Sequence, residues 1–452
     1  MMAPSAAPVT TDAAGALAAY QRFLEAKAAV AKPAGVAVRA GAVNPILKKH
    51  QEAIVRWAVA GGRRAIFAAF GLGKTFMQLE TIRCTLNALD ALDEPDGLGL
   101  VVAPLGVRQE FMRDAAALGI ALAFVRSIEE ARRRHAETGC RIFLTNYETV
   151  RDGKLDPRHF TTVSLDEASC LRGFGGTKTF REFMALFAGD DRRNGVRTEG
   201  VRFRFVATAT PSPNDFIELL AYAAFLGVMD VGEAKTRFFR RNSEKADTLT
   251  LHPHKEDEFW LWVSSWAIFL QRPSDLGFSD EGYDLPPLKV IHHEVRSDLL
   301  GRDVERNGQG ILLRDAALGV VAAAREKRES LPARVEKMKE IVDAAPDDRF
   351  IVWHDLEDER RAIEAALPGV RSVYGTQDLD ERERTIVSFS DGGFRLLAAK
   401  PVIAGSGCNF QRHCHKPRPR RRPRRRSASV RRRSTICSRW ASTASRPSWM
   451  AR

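Results

Sequence analysis

The stretch Ala68-Ala69-Phe70-Gly71-Leu72-Gly73-Lys74-Thr75 decides how the rest of the chain is read. An apolar run, residues 65–69, leads into a glycine loop and then into a helical pattern. Backbone N–H groups of such a loop, together with the helix start behind it, can hold phosphates. Lys74 would then meet the β- and γ-phosphates of a nucleotide, and Thr75 would ligate Mg2+. Ala68 stands where the usual pattern has its first glycine, so the motif alone leaves a chance turn before a helix open.

Context narrows that choice. Short β-rich runs at 65–69, 99–103, 141–145, 161–165 and 203–207 alternate with helical stretches from Asn44 to Leu226, the pattern of a parallel sheet with crossover helices. The fourth run ends in Asp166-Glu167, where Asp166 would orient Mg2+ and Glu167 the attacking water. An Asp-Glu pair alone is more often a solvated strand end; downstream of a phosphate loop it weighs more. The fifth run ends in Thr208-Ala209-Thr210-Pro211, which alone reads equally as a plain turn. Residues 227–331 break the pattern with charged segments, three tryptophans (Trp260, Trp262, Trp266) and turn-rich pieces such as Arg272-Pro273-Ser274-Asp275, and read as an insertion and linker. The tryptophans read as core rather than as base-stacking platforms. A second α/β region follows over 332–415, with strands at 349–353, 370–373 and 395–399 between helices. Residues 1–43 read as an N-terminal extension with one helical patch.

A length of 452 residues suggests about three domains or lobes. A composition 44% hydrophobic and 28% charged excludes disorder, collagen or coiled coil for the whole. No apolar stretch approaches the roughly 20 residues that span a bilayer, so no membrane contact is expected. The N-terminus lacks the pattern of a secretory signal, and the six cysteines are scattered without a CxxC, which suits a reducing cytoplasm. The net charge of +13 belongs to residues 416–452, which carry fourteen Lys or Arg and no acid, leaving 56 basic against 57 acidic residues elsewhere. Basicity is therefore no evidence for a nucleic-acid partner; only motifs can supply it.

The ordered series Gln51, GLGKT, VVAPL, TNYE, LDEAS and TATP, then a second α/β lobe, resembles the superfamily 2 helicases and translocases over residues 44–415. Within them it is similar to the DEAD/DEAH-box, Swi/Snf-related phage and prophage group, through His50-Gln51 with Ile54, Trp57 and Ala58, GLGKTFMQLE, Thr208 to Asp215, Glu218, Phe225-Leu226-Gly227, the three tryptophans and Arg272 to Gly277. The resemblance implies an α/β fold of two RecA-like lobes, 44–226 and 332–415, that clamp ATP between them. It also implies ATP and Mg2+ as cofactors and DNA, double-stranded rather than RNA, as partner, with phage or restriction-modification proteins as further candidates. By the same resemblance Gln51 would recognise adenine, Gly71, Gly73, Lys74 and Thr75 would hold the phosphates and Mg2+, and Asp166 and Glu167 would serve metal and water. Thr208 and Thr210 would couple the nucleotide state to DNA grip. Pro104, Arg108, Thr145 and Asn146 fall in segments that touch the nucleic-acid backbone in relatives, although each also reads as a strand-end or turn residue. In the second lobe Gly405, Gly407 and Gln411 would couple DNA contact to hydrolysis, with Asn409 on the nucleic acid. The fourth letter of the Asp-Glu box is Ser169, not His or Asp, which fits the phage-type group.

After Gln411-Arg-His-Cys-His415 relatives continue into a last motif with a glutamine and paired arginines, one of them an arginine finger. Here the chain runs KPRPRRRPRRRSASVRRR, whose composition cannot build a core and is expected to be disordered. A basic nucleic-acid arm, a solvated extension and out-of-frame translation of a GC-rich gene compete. The abrupt switch in the middle of a fold favours the last. An arginine finger can supply about 10³ to 10⁵ in rate, so a chain without one can bind ATP and turn it over poorly. The fourteen positive charges would add salt-sensitive, non-specific nucleic-acid affinity. Cys408, His413, Cys414 and His415 match no zinc spacing, so zinc is not expected. Leu285-Pro286-Pro287-Leu288 is the nearest approach to an amino-methyltransferase box and is not one. A small-molecule kinase is the rival P-loop reading; TATP and the second lobe argue against it.

Overall fold

The computed structural model describes residues 30–168, 171, 178–191, 194–241, 249–283, 290–295, 330–405, 408 and 410. The chain divides after Asp284 into two compact units. The N-terminal helical patch, Ser169 and the basic tail lie outside the described residues.

The first unit is built on a seven-stranded sheet. Its strands are β1 (Arg63–Ala68), β2 (Gly99–Ala103), β3 (Leu122–Phe124), β4 (Ile142–Asn146), β5 (Thr162–Asp166), β8 (Phe203–Thr208) and β11 (Ala267–Leu270). Two short antiparallel pairs, β6 (Asp190–Asp191) with β7 (Val196–Arg197) and β9 (Phe239–Arg241) with β10 (Leu249–Leu251), stand apart from it. The order across the sheet is β11-β1-β8-β5-β2-β4-β3, and every neighbouring pair is parallel. Parallel strands need crossovers that cover both faces, which is why β2, β4, β5 and β8 are buried along their whole length. Successive side chains then serve opposite cores: Phe67, Leu100, Val102, Phe143 and Val206 pack on one face, Ile66, Val101, Leu144 and Phe205 on the other. The helices Lys49–Gly61 (α1) and Lys74–Asp90 (α2) cover the second face with Ile54, Val55, Ala58, Met77 and Ile82. On the first face lies Leu219–Leu226, a helix buried all round.

The stretch expected to be an insertion and linker is in part something else. Glu256–Ser264 forms a helix whose Phe259, Trp262 and Val263 are buried in the first core beside Trp266, and β11 follows as the edge strand beside β1, with Ala65 opposite Ala267 and Ala68 opposite Leu270. The lobe therefore runs past Leu226 and through β11. The reason is apolar area: burying a large aromatic side chain is worth about 2 to 3 kcal/mol, and Trp262 and Trp266 find their burial in this core.

The second unit carries a three-stranded parallel sheet ordered β12-β14-β13, from Phe350–Trp353, Leu396–Ala399 and Arg371–Val373. The helices Leu331–Asp343, Glu357–Ala366 and Leu379–Ser390 supply its cover, with Val342 and Ile363 packing beside Leu396 and Ala398, and Ile386 and Phe389 beside Leu397 and Ala399. Both units are thus parallel-sheet α/β structures, as the RecA-like resemblance implies. No helix among the described residues is long and apolar enough to cross a membrane.

Candidate functional site

Because all seven strands run the same way, their carboxyl ends share one edge of the sheet, the edge at which open α/β sheets take ligands. That edge collects the glycine loop after β1, Pro104 and Arg108 after β2, Thr145 and Asn146 at the end of β4, Asp166 and Glu167 at the end of β5, and Thr208 and Thr210 at the end of β8. The register is explicit: Phe67 lies opposite Thr208, Ala207 opposite Asp166, and Ala103 opposite Asn146.

The loop holds its shape through two glycines. Gly71 and Gly73 have φ of 84° and 78°, in the left-handed region that side chains resist, and a Cβ on Gly73 would overlap the Nε2 atom of Gln51. Gln51, the third residue of α1, is buried. Its Nε2 donates to the Leu72 carbonyl at 3.0 Å, and its Oε1 accepts from the Lys48 N–H at 2.9 Å. Helix α2 begins at Lys74 directly after Gly73, so its first N–H groups face the loop. Lys74 Nζ donates to the carbonyls of Ala68 and Ala69 at 3.1 and 3.5 Å and stands 4.9 Å from the centre of the exposed Phe70 ring. Burial pulls the Lys74 pKa down, and the charges of Asp166 and Glu167 oppose that pull.

Asp166 is buried, and desolvation pushes its pKa up to about 6 against the opposing hydrogen bond from Gln78; Glu167 adds to the rise and Lys74 opposes it. Two residues that the motif pattern does not single out fix this carboxylate. Gln78 Nε2 donates to Asp166 Oδ1 at 2.8 Å, and Ser164 Oγ donates to Gln78 Oε1 at 2.8 Å. A third, Tyr147, donates its hydroxyl to the Asp166 carbonyl at 2.6 Å. A faint signal existed: Gln78 lies one helical turn beyond Lys74, and Ser164 shares a strand face with Asp166, both polar among apolar neighbours. Glu167 adopts φ of 49°, rare for a side-chain-bearing residue, and its Oε1 lies 3.4 Å from Thr208 Oγ1, which in turn accepts from the Thr210 N–H at 3.1 Å.

The residues expected on nucleic acid are differently placed. Thr145 and Asn146 are buried and occupied within the fold, Thr145 Oγ1 on the Val125 carbonyl at 2.8 Å and Asn146 Oδ1 on the N–H of Thr149 at 3.3 Å and on its hydroxyl. Asn146 thereby caps the helix Tyr147–Arg151. Arg108 opens the helix Arg108–Ala117 with its guanidinium 4.8 Å from the Phe124 ring centre, and Pro104 is half-buried before it. In the second unit only Gly405 of the expected set is described; it ends the short helix Pro401–Ala404, and a Cβ there would overlap the Pro401 carbonyl. Gly407, Asn409 and Gln411 lie outside the described residues, as do His413, Cys414 and His415.

The donor set suits a nucleotide with magnesium: among the described residues, an open space around Gly71, a lysine with no closer partner than backbone carbonyls, and hard oxygen ligands in the Thr75 hydroxyl and the Asp166 carboxylate. No family model matches the chain. No curated protein matches it either. Among solved structures, the SWI2/SNF2 ATPase core of Sulfolobus solfataricus in complex with double-stranded DNA is similar at 19% identity, with 82% of this chain and 79% of that chain covered and a TM-score of 0.39.

Proposed function

We propose that the chain is a DNA-dependent ATPase of helicase superfamily 2, of the Swi/Snf-related phage and prophage type, which couples ATP hydrolysis to movement along double-stranded DNA. One observation carries this reading: the glycine loop, the Asp-Glu pair and the Thr208/Thr210 segment, separated in sequence, meet at the carboxyl edge of one parallel sheet.

In this reading Gly71, Gly73 and the first turn of α2 bind the phosphates through backbone N–H groups, and Gln51 braces the loop beside the adenine. Lys74 leaves the carbonyls of Ala68 and Ala69 for the phosphate oxygens and stabilises the charge that builds on them. Thr75 and Asp166 hold magnesium, which when bound neutralises phosphate charge. Glu167 orients the attacking water and takes its proton. Thr208, hydrogen-bonded to Glu167, reports the state of that carboxylate to Thr210 and the segment beyond. Pro104 and Arg108 follow the DNA backbone, with Thr145 and Asn146 shaping the neighbouring strand end. Gly405, Gly407, Asn409 and Gln411 couple DNA contact to turnover from the second unit.

The alternative is an ATP- and nucleic-acid-binding protein with little turnover, which the arginine-rich sequence after residue 415 favours in place of the expected arginine finger. Steady-state ATP hydrolysis with and without double-stranded DNA, with Lys74→Ala as blank and nucleotide binding in parallel, tests both. DNA stimulation that vanishes in Lys74→Ala supports the motor. Binding without turnover above the blank supports the alternative, and absence of nucleotide binding sinks both.

A further inference from the structure

We infer that Gln78 is the positioning residue for the metal-ligating carboxylate of Asp166, through a buried relay that runs from Ser164 to Gln78 to Asp166. This rests on the reading of Thr75 and Asp166 as a magnesium site.

The geometry leaves the Gln78 carboxamide only one sensible orientation. Its Oε1 accepts from Ser164 Oγ at 2.8 Å and its Nε2 donates to Asp166 Oδ1 at 2.8 Å. The Ser164 hydroxyl can donate or accept, but the Asp166 carboxylate only accepts, so a flipped amide would lose the bond to Asp166 and set two acceptor oxygens against each other. All three residues are buried, Gln78 and Ser164 to within 1% of complete, so water does not compete for these bonds. Gln78 projects from α2 four residues after Lys74, and Ser164 sits two residues before Asp166 on β5, so the relay ties the helix that starts at the phosphate loop to the strand that ends in the acid pair. One Asp166 oxygen is thus pinned from the protein side, and the carboxylate is held in a single orientation. Groups that orient a metal ligand from behind typically carry ten- to hundredfold in metal affinity.

The test uses the full chain with ADP and Mn2+, following bound Mn2+ by electron paramagnetic resonance, with ADP affinity in EDTA as a second readout. Gln78→Met keeps length and apolar packing but removes both bonds. We expect it to weaken ADP-dependent Mn2+ binding about ten- to hundredfold and to leave ADP affinity in EDTA within about twofold. Asp166→Ala sets the floor, and adding Gln78→Met to it should cost nothing further, because the residue acts through Asp166. Ser164→Ala, which deletes a single hydroxyl, should give a smaller loss of the same kind, and it carries the test if Gln78→Met does not fold. Unchanged Mn2+ affinity in the folded variants, or an equal loss from Gln78→Met in the Asp166→Ala background, overturns the assignment. If the unsubstituted chain binds ADP but takes up no Mn2+ with it, the magnesium site itself falls and the assignment with it.

Discussion

Gln51 occupies the space that a side chain on residue 73 would need: its Nε2 donates to the Leu72 carbonyl, and a Cβ on Gly73 would overlap that same nitrogen. The glycine is therefore required twice, by its left-handed φ of 78° and by the glutamine packed against it. Gly73→Ala should cost about 1 to 3 kcal/mol of stability and abolish nucleotide binding. Adding Gln51→Ala should relieve the overlap and return only part of the stability, since the backbone strain stays. Thermal unfolding and ADP titration of the two single variants and the double variant check this; full recovery in the double variant would show that backbone conformation contributes nothing.

Glu167→Gln should separate binding from turnover. The amide keeps the size of the side chain and can still meet Thr208 Oγ1, but it cannot accept a proton from water. Hydrolysis should fall by about 10²- to 10⁴-fold while ATP affinity holds within a fewfold. Single-turnover hydrolysis beside equilibrium ATP binding reads both, and a variant that hydrolyses at the original rate removes Glu167 from the water-activating role.

Arg204 is a structural cation whose removal should be felt in the fold. Its Nη1 donates to the carbonyls of Phe187 and Val201 at 3.1 and 3.0 Å, and the residue is buried. Arg204→Met leaves both carbonyls buried without this donor, a loss of about 2 to 5 kcal/mol. Chemical denaturation should show an earlier midpoint with an unchanged slope.

Cys84 should be inert and should make stability fall at high pH. Burial first, then the neighbouring Glu80 charge, pushes its thiol up from the ordinary 9.0 to about 12. A raised folded pKa means that the folded chain keeps the proton while the unfolded chain loses it. The contribution is complete below about pH 9 and declines by up to about 1.4 kcal/mol per pH unit between there and 12. Comparison with Cys84→Ala over pH 8 to 11 isolates this slope, and native-state alkylation at pH 8 should leave Cys84 unmodified. Rapid labelling of the folded protein would contradict both.

Much of this architecture was legible because fully buried parallel strands are apolar from end to end. The runs that include Val101 and Val102, Phe143 and Leu144, or Phe205 and Val206 stand out against polar surroundings. Strand β11 was not legible, since Ala267–Leu270 follows a tryptophan-bearing helix with no turn chemistry between them, and the two together read as one apolar segment. The ends of the motif strands were equally visible, but the partners that fix them were not. Gln78 meets Ser164 and Asp166 only once α2 is laid across β5, a relationship of three dimensions at which spacing gives no more than the faint hint noted above. The same holds for the hydrogen bonds of Thr145 to Val125 and of Asn146 to Thr149, which spacing alone did not show.

The place of β1 between β11 and β8 has a consequence for synthesis. Its two neighbours come late: Arg204, opposite Arg63, follows it by 141 residues, and Ala267, opposite Ala65, follows by 202. At about 5 to 20 residues per second, a nascent chain carries the strand behind its phosphate loop with both edges bare for roughly ten seconds or longer. Nucleotide cannot help the early chain to fold, because the platform that presents the loop does not exist until the ribosome has passed β8. A growing chain of this kind is a natural client for chaperones that shield unpaired strands, and a ribosome stalled before residue 203 would release an aggregation-prone fragment rather than a smaller working domain.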